Sequence, residues 1–208
     1  LHLLTGDHES GQPWRLAAAI LYALGRGDEI AQRFADQPES AGLAERLAVA
    51  GNTETSTSMG RLLDAAAALL GICSVTRFRG QAGLLLEGMA EHHGEVQPLA
   101  MGWEIEHGCL DLSPLFDSLA DLRNPEFGAA LFHATLAAAL IDWLLSVAPP
   151  GAAVAAGGGC LQNQVLGRAL RSGLGDAGLR LLEARRVPPN DGGVSLGQAW
   201  VAQHYLRD

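Results

Sequence analysis

One acidic residue stands in a loop whose composition suits a ligand site. Asp191 follows Pro188-Pro189-Asn190 and precedes Gly192-Gly193, just before a predicted helix of small residues over 194–205. Proline fixes backbone φ and glycine removes side-chain bulk, so this loop can hold a carboxylate in one pose while the backbone approaches a ligand. Such a carboxylate suits a metal ion or the donor side of a phosphate site. Taken alone, however, the segment favours a solvated turn.

A glycine loop lies one predicted strand earlier. Gly157-Gly158-Gly159 follows the apolar segment 152–156 and precedes a predicted helix over 161–174. Backbone N–H groups at such a loop and helix N-terminus can bind phosphate. A tight strand-to-helix turn explains the glycines equally well, because neither GxGxxG nor a P-loop lysine is present. Gln162 and Asn163 either cap the helix, the more common role, or donate to a ligand oxygen.

The two loops are expected to share one edge of a small parallel sheet. Segments 152–156 and 179–183 are predicted strands, and each is followed by a glycine loop and a helix. Open α/β sheets bind ligands at the carboxyl ends of their strands. The pair of loops is therefore a more specific signal than either loop alone.

Two further carboxylates lie within apolar helical segments. Asp64 is the only acid in LLDAAAALL, and Glu87 stands in LLLEGMA. Both positions can face solvent, but their apolar neighbours indicate partly buried carboxylates, which can accept hydrogen bonds from a ribose diol. His133 is expected to be a satisfied buried imidazole and Cys160 a small buried residue rather than a nucleophile. No catalytic residue is therefore assigned.

The rest of the chain predicts the elements that position these loops. Its 208 residues are 48% hydrophobic and 18% charged, which fits a globular unit. Residues 1–150 are predicted to be helix-rich with a β-hairpin over 99–112, and residues 151–208 to form a βαβα part packed with them as one unit. A chain that starts at Leu1 without Met is expected to be a fragment of a larger protein.

Charge and cysteine content exclude several function classes. The net charge of −9 argues against a nucleic-acid partner, because phosphate backbones need a basic face. Three well-separated cysteines without CxxC predict a reducing, cytoplasmic location. The apolar stretch 129–148 contains His133 and Asp142, so it is predicted to be a buried helix and not a membrane span.

Four blocks of sequence occur along the chain in a fixed order: Thr57–Ala65, Gly80–Ala82 with Glu87, Gly158–Asn163 and Arg186–Gly193. In this order they resemble the hydrogenase maturation carbamoyltransferase family HypF. The resemblance covers essentially the whole chain, and the last block is the most specific. It identifies the chain as the C-terminal part of the family's final domain, which is similar to threonylcarbamoyl transferases.

The resemblance implies both a fold and a reaction. The fold is the α/β C-terminal lobe of the actin, Hsp70 and sugar-kinase (ASKHA) type, with a helix-rich N-terminal half. In the family, carbamoyl phosphate and ATP give carbamoyl-adenylate. The carbamoyl group then passes to the C-terminal cysteine of a HypE-like partner during [NiFe] hydrogenase maturation.

The resemblance also implies roles for residues of this chain. Asp191 corresponds to a ligand of a divalent metal, whose other ligands are expected upstream of this chain. Gly158 and Gly159 correspond to phosphate-contacting residues. Asp64 and Glu87 correspond to nucleoside-side carboxylates. A further member of the cofactor pocket is Asn163.

Two departures from the family pattern leave alternatives open. Arg79 and Leu85 stand where the family usually has acids. One alternative is an O-carbamoyltransferase of the antibiotic or nodulation type. Another is a non-catalytic lobe that docks a HypE-like protein. The tRNA threonylcarbamoyl branch fits the Pro-Pro-Asn-Asp-Gly-Gly loop less well, and the chain alone is expected to bind metal poorly and to be inactive.

Overall fold

The computed structural model describes residues 2–3, 11–50 and 54–206, with side chains described for 11–47 and 56–206. Helices dominate this part of the chain: α1 (Pro13–Ala23), α2 (Ile30–Arg33), α3 (Ser40–Ala50), α4 (Met59–Leu69), α5 (Gln81–His93), α6 (Ser113–Asp121), α7 (Pro125–Val147), α8 (Gln164–Asp176) and α9 (Val194–Tyr205). The strands are β1 (His2–Leu3), β2 (Glu54–Thr55), β3 (Glu104–Glu106), β4 (Cys109–Asp111), β5 (Ala153–Ala156) and β6 (Arg180–Glu183). They pair as antiparallel β1–β2, antiparallel β3–β4 and parallel β5–β6.

The core is built from helices α1, α4, α5 and α7. Helix α1 begins with Pro13 at its first turn, where a missing N–H costs no hydrogen bond, and its residues from Pro13 to Leu21 are buried. Ala65 to Ala68 of α4 are also buried, and these small side chains let α1 and α4 approach closely. Helix α5 packs against α4 and α7, so the core is continuous from the first helix to α8.

Helix α7 runs through the middle of this core. Asn124 caps it, because its side chain accepts a hydrogen bond from the N–H of Phe127 at 3.1 Å. Among the described helices, α7 is long and apolar enough to cross a membrane, and 44% of the apolar stretch is buried within the protein. Core helices of soluble proteins meet the same criteria. Its buried segment from Gly128 to Ala139 packs against other helices, as the sequence predicted.

A hairpin is present within the predicted range 99–112 but is shorter, because strands β3 and β4 cover only 104–111 and residues 99–103 are irregular. The strands are joined at His107 and Gly108, and both of these residues have the positive φ of a type I′ turn. The Nε1–H of Trp143 donates to the carbonyl of Gly108 at 2.7 Å, and the Nε1–H of Trp103 donates to Asp142 at 2.9 Å. These two bonds attach the hairpin to the outer end of α7.

The predicted β5–α8–β6–α9 order is also confirmed, and β5 and β6 are parallel, with Ala153 opposite Arg180. The helix predicted from residue 161 actually starts at Gln164. Residues Gly159–Gln162 form a 3-10 turn instead, because the N–H of Asn163 bonds the carbonyl of Cys160. The division of the chain near residue 150 stays a prediction.

Two short elements complete the described part of the chain. A 3-10 turn at Gly27–Glu29 leads into the short helix α2, and Phe34 is the C-cap of that helix. Glu54–Thr55 pair with residues 2–3 as a strand. Residues 51–53 lie outside the described part of the chain.

Candidate functional site

The two glycine loops predicted to share one sheet edge contact each other. The N–H of Gly158 donates to the carbonyl of Pro189 at 2.5 Å. A Cβ built on Gly159 would lie 3.9 Å from the Cβ of Asn190. Gly158 has φ of 101° and ψ of 159°, a conformation that side-chain-bearing residues rarely adopt. The glycine at this position therefore fixes the joint between the loops.

Asp191 lies on the solvent side of this joint. The carbonyl oxygen of the Asn190 side chain accepts from the N–H of Gly192 at 2.9 Å, which fixes the start of the turn over Asp191–Gly193. The Asp191 side chain is 85% exposed, and its Oδ2 lies 3.2 Å from Nη1 of the equally exposed Arg79. Because exposed ion pairs are weak, this contact leaves the carboxylate available to a cation.

The described residues offer a metal only part of a ligand set. No group of three or more His, Cys, Asp and Glu side chains within this described part is arranged to hold an ion. Asp191 supplies hard oxygen donors, which suit divalent cations such as Mg²⁺ or Mn²⁺. This residue therefore fits one position in a coordination shell, and the other ligands have to come from another source.

Asp64 lies close enough to Cys160, directly after the loop of Gly157 to Gly159, to affect its thiol. Asp64 is half-buried on α4, and burial raises the pKa of its carboxyl group against the opposing effect of Arg61. A Cβ built on Gly60, at the start of α4, would lie 3.6 Å from Sγ of Cys160. Burial, with the charge of Asp64, raises the pKa of the Cys160 thiol. Cys160 is therefore protonated at neutral pH and is a poor nucleophile, as expected from the sequence.

Glu87 is bound to the helix that follows the glycine loop. Its Oε1 accepts from the backbone N–H of Gln164, the first residue of α8, at 2.6 Å. A carboxylate at a helix N-terminus is stabilised by the helix dipole. Contact with a nucleoside, the role implied for Glu87, would have to use its other oxygen. The neighbouring Leu85 is exposed.

Asn163 is the N-cap of α8 and is almost fully buried. Its carbonyl oxygen accepts from the N–H of Leu166 at 2.9 Å, and its amide donates to Nε2 of His133 at 2.9 Å. Nδ1 of His133 in turn donates to the carbonyl of Ala129 at 2.8 Å. Only the neutral Nδ1–H tautomer satisfies both bonds.

The structure therefore gives Asn163 the capping role rather than an open side chain. The oxygen and the nitrogen of its side-chain amide both make hydrogen bonds within the protein. A direct contact with a nucleotide would therefore have to break one of these bonds. Asn163 is a positioning residue that holds α8 and the adjoining 3-10 turn against α7. His133 is the satisfied buried imidazole that the sequence predicted.

Lowering the pH is expected to weaken the fold through His133. Burial holds the pKa of this ring below its ordinary value, so the unfolded chain takes up the proton more readily than the folded chain. Neutral His133 makes its full contribution to the free energy of unfolding above about pH 6.5. This contribution decreases as the pH falls from there toward the pKa of His133 in the folded protein. Urea unfolding at about pH 7.5 and about pH 5.5 measures this loss.

Two histidine variants test the assignment. His133→Gln should remove part of the stability difference between the two pH values. His204→Gln, which changes an exposed ring on α9, should keep it. An equal pH difference in wild type and His133→Gln would assign the effect to other groups.

A cavity of about 390 Å³ opens at the carboxyl ends of β5 and β6, beside the two loops. Sequence reasoning missed two cationic residues there, Arg171 and Arg185. Arg171 pairs with Glu183 of β6 at 2.7 Å. Arg171 lies within α8, one turn after Gly167, and a single charged residue in a helix has no sequence pattern that indicates a ligand site. A second cavity of about 680 Å³, mostly apolar, lies between α1, α7 and the hairpin.

Comparison with known proteins identifies relatives along nearly the whole chain. Residues 1–198 match the family model described as "Carbamoyltransferase, Kae1-like Domain, second subdomain". Carbamoyltransferase HypF2 of Cupriavidus necator is 43% identical over 97% of this chain and 29% of its own length. Carbamoyltransferase HypF of Rhizobium leguminosarum bv. viciae is 37% identical over 99% of this chain and 27% of its own length. The chain thus spans less than a third of these relatives.

Solved structures give the same result for the fold. A full-length HypF in a phosphate- and nucleotide-bound form superposes with a TM-score of 0.77 and 25% identity, over 100% of this chain and 29% of that structure. HypF of T. kodakarensis superposes with a TM-score of 0.80 and 23% identity, over 99% of this chain and 29% of that structure.

Proposed function

Because the chain belongs to the HypF family of carbamoyltransferases, we propose that it forms one wall of a carbamoyl-transfer site in a larger enzyme. The full enzyme moves a carbamoyl group from carbamoyl-adenylate to the C-terminal cysteine of a HypE-like partner. The observation that carries this proposal is the joint between the glycine loop and the Pro-Pro-Asn-Asp-Gly-Gly loop, which lies at the carboxyl ends of two parallel strands.

The fold of this wall is assigned to the C-terminal lobe of the ASKHA type. Support comes from the order β5–α8–β6–α9, in which each parallel strand is followed by a glycine loop and a helix. The helical core formed by α1, α4, α5 and α7 supports the sheet from one side through α8. Ligands of such sheets bind at the strand ends where both loops lie.

Each residue of the wall has a chemical task in the proposal. The backbone of Gly158 and Gly159 lets the phosphate of the adenylate approach closely, and the half-buried Asp64 accepts from ribose hydroxyls. Asp191 would hold a divalent metal, which, when bound, supplies positive charge to offset that of the departing AMP. Arg185, in the adjacent cavity, adds further positive charge, whereas the charge of Arg171 is offset by its partner Glu183.

The nucleophile arrives on the partner protein. The thiolate sulfur of the partner's cysteine attacks the carbamoyl carbon, the bond to the adenylate oxygen breaks, and AMP leaves with the electron pair. The raised pKa of the Cys160 thiol supports a nucleophile on the partner, because this thiol is protonated and cannot act as the attacking thiolate. A neutral hydroxyl acceptor would instead need a general base beside the loops.

One assay tests the proposal against the alternatives. The full-length protein is incubated with ATP, carbamoyl phosphate and a HypE-like partner, and the mass of the intact partner is measured. The proposal predicts the mass of one carbamoyl group on the wild-type partner and none on a partner with its terminal cysteine changed to serine. Carbamoyl label on small hydroxyl compounds instead would support O-carbamoyl transfer, and a bound but unmodified partner would support a docking lobe.

Replacing Gly158 by alanine should weaken nucleotide binding to the full-length protein. A Cβ at this position would meet no atom within 4 Å, so the substitution acts only through the backbone conformation. That conformation costs about 1–3 kcal/mol for a residue other than glycine. If the loop moves to relieve the strain, nucleotide affinity falls by about tenfold for each 1.4 kcal/mol of binding free energy that is lost. Calorimetric titration with a non-hydrolysable ATP analogue measures the effect.

Gly157→Ala is the matched control for this prediction. Gly157 also has open space around its Cα, but its φ is not positive, so alanine fits there. Affinity should therefore remain near the wild-type value. Equal losses in the two variants would mean that the strained backbone of Gly158 has no part in nucleotide binding.

A further inference from the structure

The cavity at the carboxyl ends of β5 and β6 differs in charge from the chain as a whole. The chain carries a net charge of −9. Among the described residues, the charged ones that line the cavity are Arg171, Arg185 and Glu183, so the lining carries one net positive charge. A cleft of one sign of charge attracts small ions of the other sign. The volume of about 390 Å³ is near the lower end of the range of ligand pockets, about 300–1,000 Å³.

Arg185 is the cation that this cavity offers to an anion. Nη1 of Arg171 pairs with Oε1 of Glu183 at 2.7 Å, so these two charges offset each other. Arg185 follows the end of β6, and its side chain makes no hydrogen bond or ion pair with any residue in the described part of the chain. Its guanidinium is therefore available to bind a carboxylate through two parallel N–H bonds.

Gln162 places a neutral donor in the same cavity. It belongs to the 3-10 turn after the glycine loop, and its exposed side-chain amide has no hydrogen-bond partner among the described residues. The neighbouring Gln164 uses its Nε2 to donate to the backbone carbonyl of Gln162 at 3.1 Å. Because Asn163 takes the capping role, the side-chain amide of Gln162 is left to donate to a ligand oxygen.

The cavity borders the joint at which the proposed reaction takes place. Pro189 lines the cavity, and its carbonyl accepts from the N–H of Gly158. A ligand in the cavity therefore lies beside the loops that would hold the phosphate of the adenylate. That phosphate and Asp191 are both negative, so a further anion that enters with the partner is repelled there unless a cation binds it.

We propose that Arg185 and Gln162 bind the C-terminal carboxylate of the partner's cysteine. This inference rests on the proposed function, in which that cysteine is the last residue of the partner. The thiol and the terminal carboxylate belong to the same residue, so a cavity that holds the carboxylate also positions the sulfur beside the loops. A cysteine within a chain has no such carboxylate, so the contact also selects the terminal position.

Two forms of the partner test this inference with the full-length protein, ATP and carbamoyl phosphate. One form ends in the free carboxylate, and the other carries a C-terminal amide on the same cysteine. The value of kcat/KM, measured from the mass of the intact partner, should be on the order of 10- to 100-fold higher for the free carboxylate. The difference should lie mainly in KM, because the carboxylate is bound equally in the ground state and the transition state.

Three variants locate this preference. Arg185→Gln should reduce the ratio between the two partners to near one, whatever its effect on the rate with both. Arg185→Lys keeps the charge but not the planar fork, so it should keep part of the ratio. Arg180→Gln is the matched control, because it removes the same charge from an exposed position at the other end of β6. It should keep the wild-type ratio.

Three results would overturn the inference, and they can be told apart. Equal kcat/KM on both partners in the wild-type protein would mean that the carboxylate is not bound, although the proposed function would stand. A wild-type ratio in Arg185→Gln would assign the preference to another residue. Transfer to neither partner by the wild-type protein would contradict the proposed function, and this inference with it.

Discussion

Replacing Asp191 by alanine in the full-length protein is expected to lower the rate of carbamoyl transfer by on the order of 100-fold or more. Substitution of groups that only support metal ligands commonly costs about 10- to 100-fold, so loss of a direct ligand should cost at least as much. The side chain is 85% exposed and holds no part of the core, so the fold should be unaffected. The measurement is the initial rate of carbamoylation of the partner at saturating ATP.

Asp176→Ala is the matched control for Asp191→Ala. It removes the same charge from an exposed position at the end of α8. Its transfer rate should stay within about twofold of wild type, because exposed charges away from a site contribute little. If Asp191→Ala and Asp176→Ala have the same rate, Asp191 is not a metal ligand.

Replacing Asn163 by alanine is expected to lower the free energy of unfolding by about 2–4 kcal/mol. Loss of an N-cap costs about 1 kcal/mol. The substitution also leaves Nε2 of the buried His133 without a donor, which costs about a further 1–3 kcal/mol. Urea unfolding followed by circular dichroism measures the change, with the slope of the transition used to check that two-state behaviour is retained.

Asn124→Ala separates the two parts of this prediction. The side chain of Asn124 caps α7 by accepting from the N–H of Phe127, three residues later, as Asn163 does in α8. Unlike Asn163, it is exposed to solvent and does not contact a buried histidine. Its replacement should cost only the capping part, about 1 kcal/mol. Equal losses in the two variants would show that the bond between Asn163 and His133 contributes nothing measurable.

The βαβα part of the fold could be predicted because the loops that separate its strands and helices can be recognised from the local sequence. Gly157 to Gly159 and the Pro-Pro-Asn-Asp-Gly-Gly loop interrupt apolar segments, and clusters of glycine and proline mark turns and loops. The same argument located the hairpin around Gly108. The contact between the two glycine loops then followed from the parallel order of β5 and β6, since the carboxyl ends of parallel strands meet at one edge.

The interactions that hold the site together could not be predicted in this way. Glu87 is 77 residues from its partner Gln164, and His133 is 30 residues from Asn163. Neither pair leaves a periodic pattern, because each depends on how two helices pack. Similarly, the 3-10 turn before α8 depends on where Asn163 caps the helix, and apolar periodicity places such boundaries poorly.

A crystal structure of the full-length protein with a non-hydrolysable ATP analogue and Mn²⁺ tests most directly whether these loops form one wall of the transfer site. We expect an anomalous Mn²⁺ peak bonded to Asp191, with the phosphates of the analogue against Gly158 and Gly159. An Mn²⁺ peak and nucleotide elsewhere, with Asp191 still paired to Arg79, would contradict it.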